Sequence, residues 1–210
     1  MNKLKLLRLY FKMLRDHKSY NNYYTAACKS TDAKVINIKT ADICPRERLP
    51  EDVLSNLCNN NFRIDDVDCR CMESFLQSLK HKDEKEQREV CFMDGIRAQQ
   101  CSTSDWQKDQ IVWWKGRAIN RQSSEYRRLV RRAYSTMYEW SSRFRNVLMT
   151  TGRKKIKYDN GKHDSHTTLL TDKEFCRFLT RLRASKRLEY KLVIYPRQWP
   201  NSIGIDEDYE

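Results

Sequence analysis

Three polar side chains of chemically useful type recur at helical spacing near the middle of the chain: Glu73, Gln77 and Lys80. At about 100° per residue they form one stripe, about 110° from the centre of an apolar stripe. The apolar stripe has the i, i+3, i+4, i+7 spacing of a helix packed on a core, and consists of Met72, Phe75, Leu76 and Leu79. A carboxylate, an amide and an ammonium at the border of a buried face can line a cleft for a polar ligand. The alternative is a solvated helix flank, with i,i+4 contacts worth about 0.2–0.5 kcal/mol per pair.

Two further groups of residues have types suited to ligand binding. Ser55 and Asn56 bring small hydrogen-bonding groups to a predicted strand end, or else only cap a turn. Tryptophans and cations then occur together, in the order Trp106, Trp113, Trp114, Lys115 and Arg117. Indole faces beside cations can stack a nucleobase and hold a phosphate, although tryptophans also pack in cores.

A long helix after Ser123 is predicted to carry a basic outer face. Its apolar positions repeat at helical spacing at Tyr126, Leu129, Val130, Ala133 and Met137. The other side holds Arg127, Arg128, Arg131 and Arg132. Arginine pairs bidentately with phosphate oxygens, so Arg127, Arg128 and Arg131 are the candidates for contact with a nucleic-acid backbone. A solvated arginine face is the alternative.

His163, Asp164 and His166 follow the turn signal Asp159-Asn160-Gly161. Two histidines beside an aspartate have the residue types of metal or acid–base sites, but a polar loop produces the same pattern. We therefore expect no metal site and no cofactor.

The composition limits the class of protein. The chain has 210 residues, 39% of them hydrophobic, which suits one folded domain. A formal net charge of +13 favours polyanionic partners such as nucleic acid, although it also favours solubility. Eight cysteines without a CxxC pair indicate reduced thiols. Because no apolar run approaches the roughly 18 residues of a membrane helix, we expect a cytoplasmic protein without a membrane partner.

The order of these patterns predicts an α+β fold that is mainly helical, with a small antiparallel sheet. Residues 1–49 are expected to form an extension with a basic helix and a strand at 34–38, residues 50–188 the domain, and residues 189–210 a tail. Strands are expected at 62–64 and 154–158. A helix continuing from residue 140 is expected to stop at Gly152, and Thr171 and Glu174 to form a capping box at the last helix.

Several of these segments, in this order, resemble the NADAR family, which is associated with NAD and ADP-ribose and includes N-glycosidases of riboflavin-pathway intermediates. The similar segments are Leu54-Ser-Asn-Leu57, the helix Met72 to Lys80, Ile96-Arg-Ala98, Leu148-Met-Thr-Thr-Gly152 and Phe175 to Arg183. They look like the family's Ser-Asn-Phe, Glu-x-x-x-Gln-x-x-Lys, Ala-Lys, Leu-Leu-x-Thr-Gly-Asp and closing-helix elements. The resemblance implies a single NADAR-like domain of packed helices.

The resemblance also implies a hydrolase that cleaves an N-glycosidic bond of an ADP-ribosyl or related ribonucleotide adduct, such as ADP-ribose on nucleic acid. Glu73 would stabilise the oxocarbenium-like ribose. The remaining roles would be phosphate binding by Lys80 and Arg117, base stacking by Trp113 or Trp114, and ribose binding by Asn56 and Gln77.

Three departures from the family pattern affect this expectation. Arg153 stands where the family has the Asp of Thr-Gly-Asp, and the later Trp-Gly and Gly-x-Asn elements are missing. Either Asp164 supplies a second catalytic carboxylate or the site is altered. The alternative function is a non-catalytic module that binds nucleic acid or ADP-ribose.

Overall fold

The computed structural model describes residues 35–38, 50–101 and 103–194, which form helices and short strands. The strands are β1 (Val35–Ile38), β2 (Phe62–Ile64), β3 (Val67–Cys69), β4 (Ile111–Trp114), β5 (Arg117–Asn120) and β6 (Lys155–Tyr158). The helices are α1 (Met72–Ser78), α2 (Glu84–Phe92), α3 (Gly95–Gln100), α4 (Trp106–Asp109), α5 (Ser124–Trp140), α6 (Ser142–Thr150) and α7 (Asp172–Ile194). A 3-10 helix spans Pro50–Leu54. The predicted N-terminal basic helix and the acidic chain end lie outside the described residues.

The strands form three two-stranded sheets. β2–β3 and β4–β5 are antiparallel hairpins, as the predicted fold class requires. Their two-residue turns place Asp65, Asp66, Lys115 and Gly116 at positive φ, which suits tight hairpins. β1 and β6 instead pair in parallel, with Val35 opposite Lys155, because the long intervening chain can cross over between them.

Helix α1 lies in the centre of the core. All seven of its residues are buried, so its polar side, where Glu73 and Gln77 are each 8% exposed, is also largely covered by other segments of the chain. Cys71 and Ser74 form its capping box: Ser74 N donates to Cys71 Sγ at 3.3 Å and Cys71 N donates to Ser74 Oγ at 3.1 Å. The helix ends at Ser78, with Leu79 as C-cap, so Lys80 follows it.

Several predicted helix boundaries are confirmed, and one is wrong. Ser123 caps α5, Gly152 follows α6 at φ +61°, and Thr171 and Glu174 form the predicted capping box. The expected continuous helix through residues 140–151 is broken at Ser141. Its backbone is extended, and its Oγ accepts from Phe144 N at 3.1 Å, so it starts α6 as a separate helix.

The described residues form one α+β domain of which about half is helical. Ile38 of β1 is in its core, and α7 continues past residue 188 to Ile194. Of the two alternatives for Ser55 and Asn56, the turn is confirmed and the strand end is wrong, because these residues follow the 3-10 helix in a turn. Within the described residues no helix is both long and apolar enough to span a membrane.

Candidate functional site

A cavity of about 190 Å³ lies between α1 and the loop that precedes α7. Glu73, Gln77 and Lys80 line one wall, so the predicted polar stripe faces a concave surface. The opposite wall comes from distant segments: Asn56, Trp106, Tyr158, Asn160, Gly161, Lys162, Thr167, Thr168, Leu169, Leu170 and Phe175. Phe75 of α1 and Leu79, its C-cap, are fully buried in the core, and their packing fixes the orientation of the polar stripe.

Glu73 is held by two neutral donors. Its Oε1 accepts from Gln77 Nε2 at 2.7 Å and from Gln99 Nε2 at 2.9 Å, and only 8% of the residue is exposed. Its Oε2 accepts no hydrogen bond from the described part of the chain. Gln99 reaches the carboxylate because α3 begins at Gly95, where an added Cβ would lie 3.2 Å from Glu73 Cβ and 2.7 Å from Leu57 Cδ2. The carboxylate is thus oriented without being neutralised by a fixed cation.

Asn56 is oriented by a second pair of contacts. Its carbonyl oxygen accepts from Glu73 N at 2.9 Å, and its Oδ1 accepts from the hydroxyl of Tyr134 at 2.7 Å. Burial raises the pKa of Tyr134 well above its usual value, so the phenol keeps the proton it donates. The amide nitrogen of Asn56 has no acceptor in the described residues, which leaves it available as a donor in the cavity.

Lys80 and Lys162 make part of the cavity wall basic. Neither forms an ion pair with a carboxylate among the described residues. Burial lowers the pKa of the Lys80 ammonium; the charge of Glu73 raises it and that of Lys162 lowers it, leaving the pKa below its ordinary value. Two cations beside one another suit an anionic group of a ligand.

Two buried polar atoms in the cavity wall have no hydrogen-bond partner among the described residues. They are Oε1 of Gln77 and Nε1 of Trp106. An unsatisfied buried polar group costs about 1–3 kcal/mol, so a ligand or ordered water is expected to satisfy them. Trp106 thus belongs to this cavity, although the sequence indicated Trp113 or Trp114 for base stacking.

The β4–β5 hairpin places the other aromatic and basic candidates outside the cavity. Trp114 is buried against Phe75, with ring centroids 5.1 Å apart, and its indole N–H donates to Asp65. Trp113 packs beneath the ammonium of Lys82, 4.9 Å from its ring centroid. Arg117 is exposed and pairs with Glu125 at 2.8 Å. These three residues therefore do not line the cavity, because strand pairing turns them towards the core or solvent.

Asp164, expected as the second carboxylate, also lies outside the cavity. It is exposed, and the backbone N–H of His166 donates to it at 2.9 Å. That hydrogen bond, of the kind that aspartates form in turns, lowers the pKa of Asp164 below its ordinary value. Arg153 is exposed and lines a different pocket. Glu73 is the carboxylate that lines the cavity in the described part of the chain.

The predicted nucleic-acid contacts Arg127, Arg128 and Arg131 are exposed on α5 and do not line the cavity. Arg132, on the same helix, instead forms a bidentate pair with Asp65. Arg127, Arg128 and Arg131 thus remain exposed on this face, and their contact with a nucleic-acid backbone stays a prediction.

A group of possible metal ligands lies at the edge of the cavity. Ligand atoms of Asp159, His163 and Asp172 lie within 4.8 Å of one another. His163 is 3.4 Å from Asp172 and 3.6 Å from Asp159, distances that ion pairs of a protonated histidine also give. Asp159 and His163 are largely exposed, and these contacts do not assign a metal ion.

The family is shown by comparison with known sequences. A model of the family described as bacteriophage protein GP30.3 matches residues 48–184. The chain belongs to this family. A relative from Enterobacteria phage T4, described as an uncharacterized 17.1 kDa protein in the Gp30-rIII intergenic region, is 30% identical over 141 residues. The match covers 66% of this chain and 93% of the relative.

The fold of this GP30.3 family member is similar to that of a solved bacterial protein. The NMR structure of Escherichia coli YbiA superposes with a TM-score of 0.51 at 15% sequence identity, covering 76% of this chain and 89% of YbiA. At that identity the likeness concerns the fold. YbiA has a NADAR-family fold, so the comparison supports the NADAR-like fold that the sequence resemblance implies.

Proposed function

We propose that the protein is an N-glycosidase that hydrolyses the N-glycosidic bond of an ADP-ribosyl or related ribonucleotide adduct. The observation that carries the proposal is Glu73: a buried carboxylate with one oxygen held by two amides and the other unpaired within the described residues, in the wall of a cavity. An ADP-ribosyl group carried on nucleic acid is included in this substrate class, because the net charge is +13.

The carboxylate suits the charge that develops in this reaction. As the bond between C1′ and the base nitrogen breaks, its electron pair leaves with the base and the ribose gains oxocarbenium character. Glu73 stabilises that positive charge and accepts a proton from the water that attacks C1′. The departing base takes up a proton, so the products are the free base and the ribosyl hydroxyl compound. Gln77 and Gln99 keep the carboxylate in place without removing its charge.

The other wall residues supply binding groups for such a substrate. The amide groups of Asn56 and Gln77 face the cavity and suit the ribose hydroxyls. Lys80 and Lys162 suit a phosphate. Trp106 lines the cavity, so we assign to it the stacking role that the sequence suggested for Trp113 or Trp114. Its indole N–H, without a partner among the described residues, suits an oxygen acceptor.

A binding module without catalysis is the second candidate function. It is favoured by Arg153, which replaces the Asp of the family pattern, and by the placement of Asp164 outside the cavity. Such a module would use the same cavity for ADP-ribose or a nucleotide and leave the bond intact.

The test is incubation of the purified protein with ADP-ribosylated DNA, ADP-ribosylated protein and free NAD, with released ADP-ribose measured by chromatography. We expect release from at least one substrate, and we expect Glu73→Gln to slow it by a factor on the order of 100 or more. Glutamine at 73 can still accept from Gln77 and Gln99, so the unfolding free energy should change by no more than about 1 kcal/mol.

Glu89→Gln is the matched control, because it removes the same charge from an exposed position on α2. Its turnover should equal that of the wild type. Binding of ADP-ribose without release from any substrate would favour the binding module. Equal turnover with glutamate and glutamine at position 73 would disprove the role of Glu73.

A further inference from the structure

A second pocket, of about 390 Å³, lies between the turn after α6 and the second half of α7. Three of its lining residues are arginines: Arg153, Arg183 and Arg187. No Asp or Glu lines it in the described part of the chain, and it shares no lining residue with the Glu73 cavity. The pocket therefore concentrates positive charge at a site that the proposed hydrolysis does not use.

Arg183 is the most informative of the three, because it is only 6% exposed. Its Nη1 donates to Thr151 Oγ1 at 2.7 Å, which is a neutral acceptor. Its remaining N–H groups have no acceptor among the described residues, and the side chain forms no ion pair there. Burial and the charge of Arg187 both lower the pKa of Arg183. A buried charge without a counter-charge is unfavourable, so an external anion would stabilise this arrangement.

Arg187 and Arg153 extend the same positive region towards solvent. Arg187 is half-buried beside Arg183 and Arg153 is exposed. Neither has a carboxylate partner in the described residues. Like charges held together cost free energy, which binding of an anion between them would recover.

The number and type of donors fit a phosphoryl group. Guanidinium groups donate pairs of parallel N–H bonds to adjacent oxygens of a phosphate, and several arginines can share one tetrahedral anion. The hydroxyl of Thr180 also lines the pocket and can donate to a further oxygen. We propose that Arg153, Arg183 and Arg187 form a phosphate-binding site separate from the Glu73 cavity. The phosphoryl group can belong to a free nucleotide or to a nucleic-acid backbone, which share this chemistry.

The experiment is a binding titration of the full chain with pyrophosphate and with a fluorescent single-stranded oligonucleotide. Arg187→Gln and Arg153→Gln remove partly or fully exposed pocket arginines with little risk to folding. Arg181→Gln is the matched control, since Arg181 is exposed on the same helix, has the same charge and does not line the pocket. Each pocket variant should weaken binding of at least one probe by about fivefold or more relative to Arg181→Gln, the scale of a lost charge-assisted hydrogen bond.

The two probes distinguish the sources of the phosphoryl group. If a nucleic-acid backbone occupies the pocket, Arg187→Gln should also reduce the log–log salt slope of oligonucleotide binding by about 0.7, the value for one neutralised phosphate of a single strand. If free nucleotides occupy it, pyrophosphate binding should weaken while oligonucleotide binding matches the control. Either result supports the site.

The proposal is overturned if Arg181→Gln weakens both probes as much as the pocket variants do, because the effect is then one of net charge. It is also overturned if neither probe binds the wild type at physiological ionic strength. Both readouts are binding measurements, so they stand whether or not Glu73 is catalytic.

Discussion

Arg121 and Arg183 are both buried arginines, but their surroundings differ. Arg121 is 1% exposed, and its Nη1 and Nη2 donate to the two carboxylate oxygens of Glu174 at 3.3 and 2.6 Å. Its Nε donates to Thr168 O at 3.1 Å, and its guanidinium lies 4.6 Å from the ring centroid of Tyr126. Arg183 has the hydroxyl of Thr151 as its acceptor and no carboxylate partner among the described residues.

Arg121 has an internal counter-charge and therefore a structural role, whereas Arg183 has none among the described residues and could pair with a ligand. Arg121 joins the start of α7 to the loop before it, and Thr168 in that loop lines the Glu73 cavity. Arg121 therefore holds Thr168, a residue of the cavity wall, although Arg121 itself does not line the cavity. The charge of Arg121 is compensated by Glu174. Glu73 resembles Arg183 instead: neutral groups hold it in place, and it has no ion-pair partner among the described residues.

Replacement of each arginine by methionine tests this comparison, and Arg121→Met should have the largest effect on stability of the changes considered. Arg121→Met leaves Glu174 without its partner and should lower the unfolding free energy by about 3–5 kcal/mol. Arg183→Met removes an uncompensated charge and keeps the apolar volume, so we expect a change below about 1 kcal/mol. Urea denaturation followed by circular dichroism measures both values. Similar losses in the two variants would mean that Arg183 is as structural as Arg121.

Much of the fold could be predicted from local signals, because caps act within a few residues. The hydroxyls of Ser123 and Thr171 and the positive φ of Gly152 start or end helices where the sequence indicated. The β4–β5 hairpin was not predicted, since its tryptophans suggested ligand binding and its turn depends on Lys115 and Gly116 at positive φ. Parallel pairing of β1 with β6 depends on segments far apart in sequence, which local patterns do not report.

The candidate site divides in the same way. Glu73, Gln77 and Lys80 could be identified because helical spacing alone puts them on one stripe. Their roles in binding and catalysis stay predictions. Gln99 and Trp106 could not be placed beside them, because their positions depend on how α3 and α4 pack on α1.

The Arg121–Glu174 pair also predicts an acid-sensitive component of stability. Burial raises the pKa of Glu174, but hydrogen bonds from Arg121 and Thr171 lower it by more, so its pKa in the folded protein is below the ordinary 4.5. A lowered pKa stabilises the fold above the unfolded-state value, and this contribution is lost as the pH falls through the folded-state value.

Glu174→Gln should therefore flatten the loss of unfolding free energy between neutral pH and about pH 3, relative to wild type. The measurement is a series of urea titrations across that range. Glu89→Gln again supplies the control, because it changes an exposed carboxylate of α2. An unchanged pH profile in Glu174→Gln would show that the pair contributes little beyond an exposed ion pair.

The exposed arginines of α5 should have the smallest effect on stability. Arg127 and Arg128 donate to Gln122 O and Ser124 Oγ at the start of the helix, and Arg131 is exposed further along it. Replacement of all three by glutamine should change the unfolding free energy by no more than about 0.5 kcal/mol per site, because solvent compensates these charges in the folded and unfolded states.

Their expected effect is on binding of nucleic acid. If each of the three arginines neutralises one backbone phosphate, the triple variant should flatten the log–log salt dependence of oligonucleotide affinity by about 2 to 3. A control triple with glutamine at Lys85, Arg88 and Arg97 removes the same charge from exposed positions on α2 and α3. A smaller change in the control would locate the backbone contacts on α5, since net charge is equal in the two variants. Equal slopes would mean that the α5 arginines contribute only to the overall field of the protein, leaving Arg153, Arg183 and Arg187 as the arginines arranged for a phosphate.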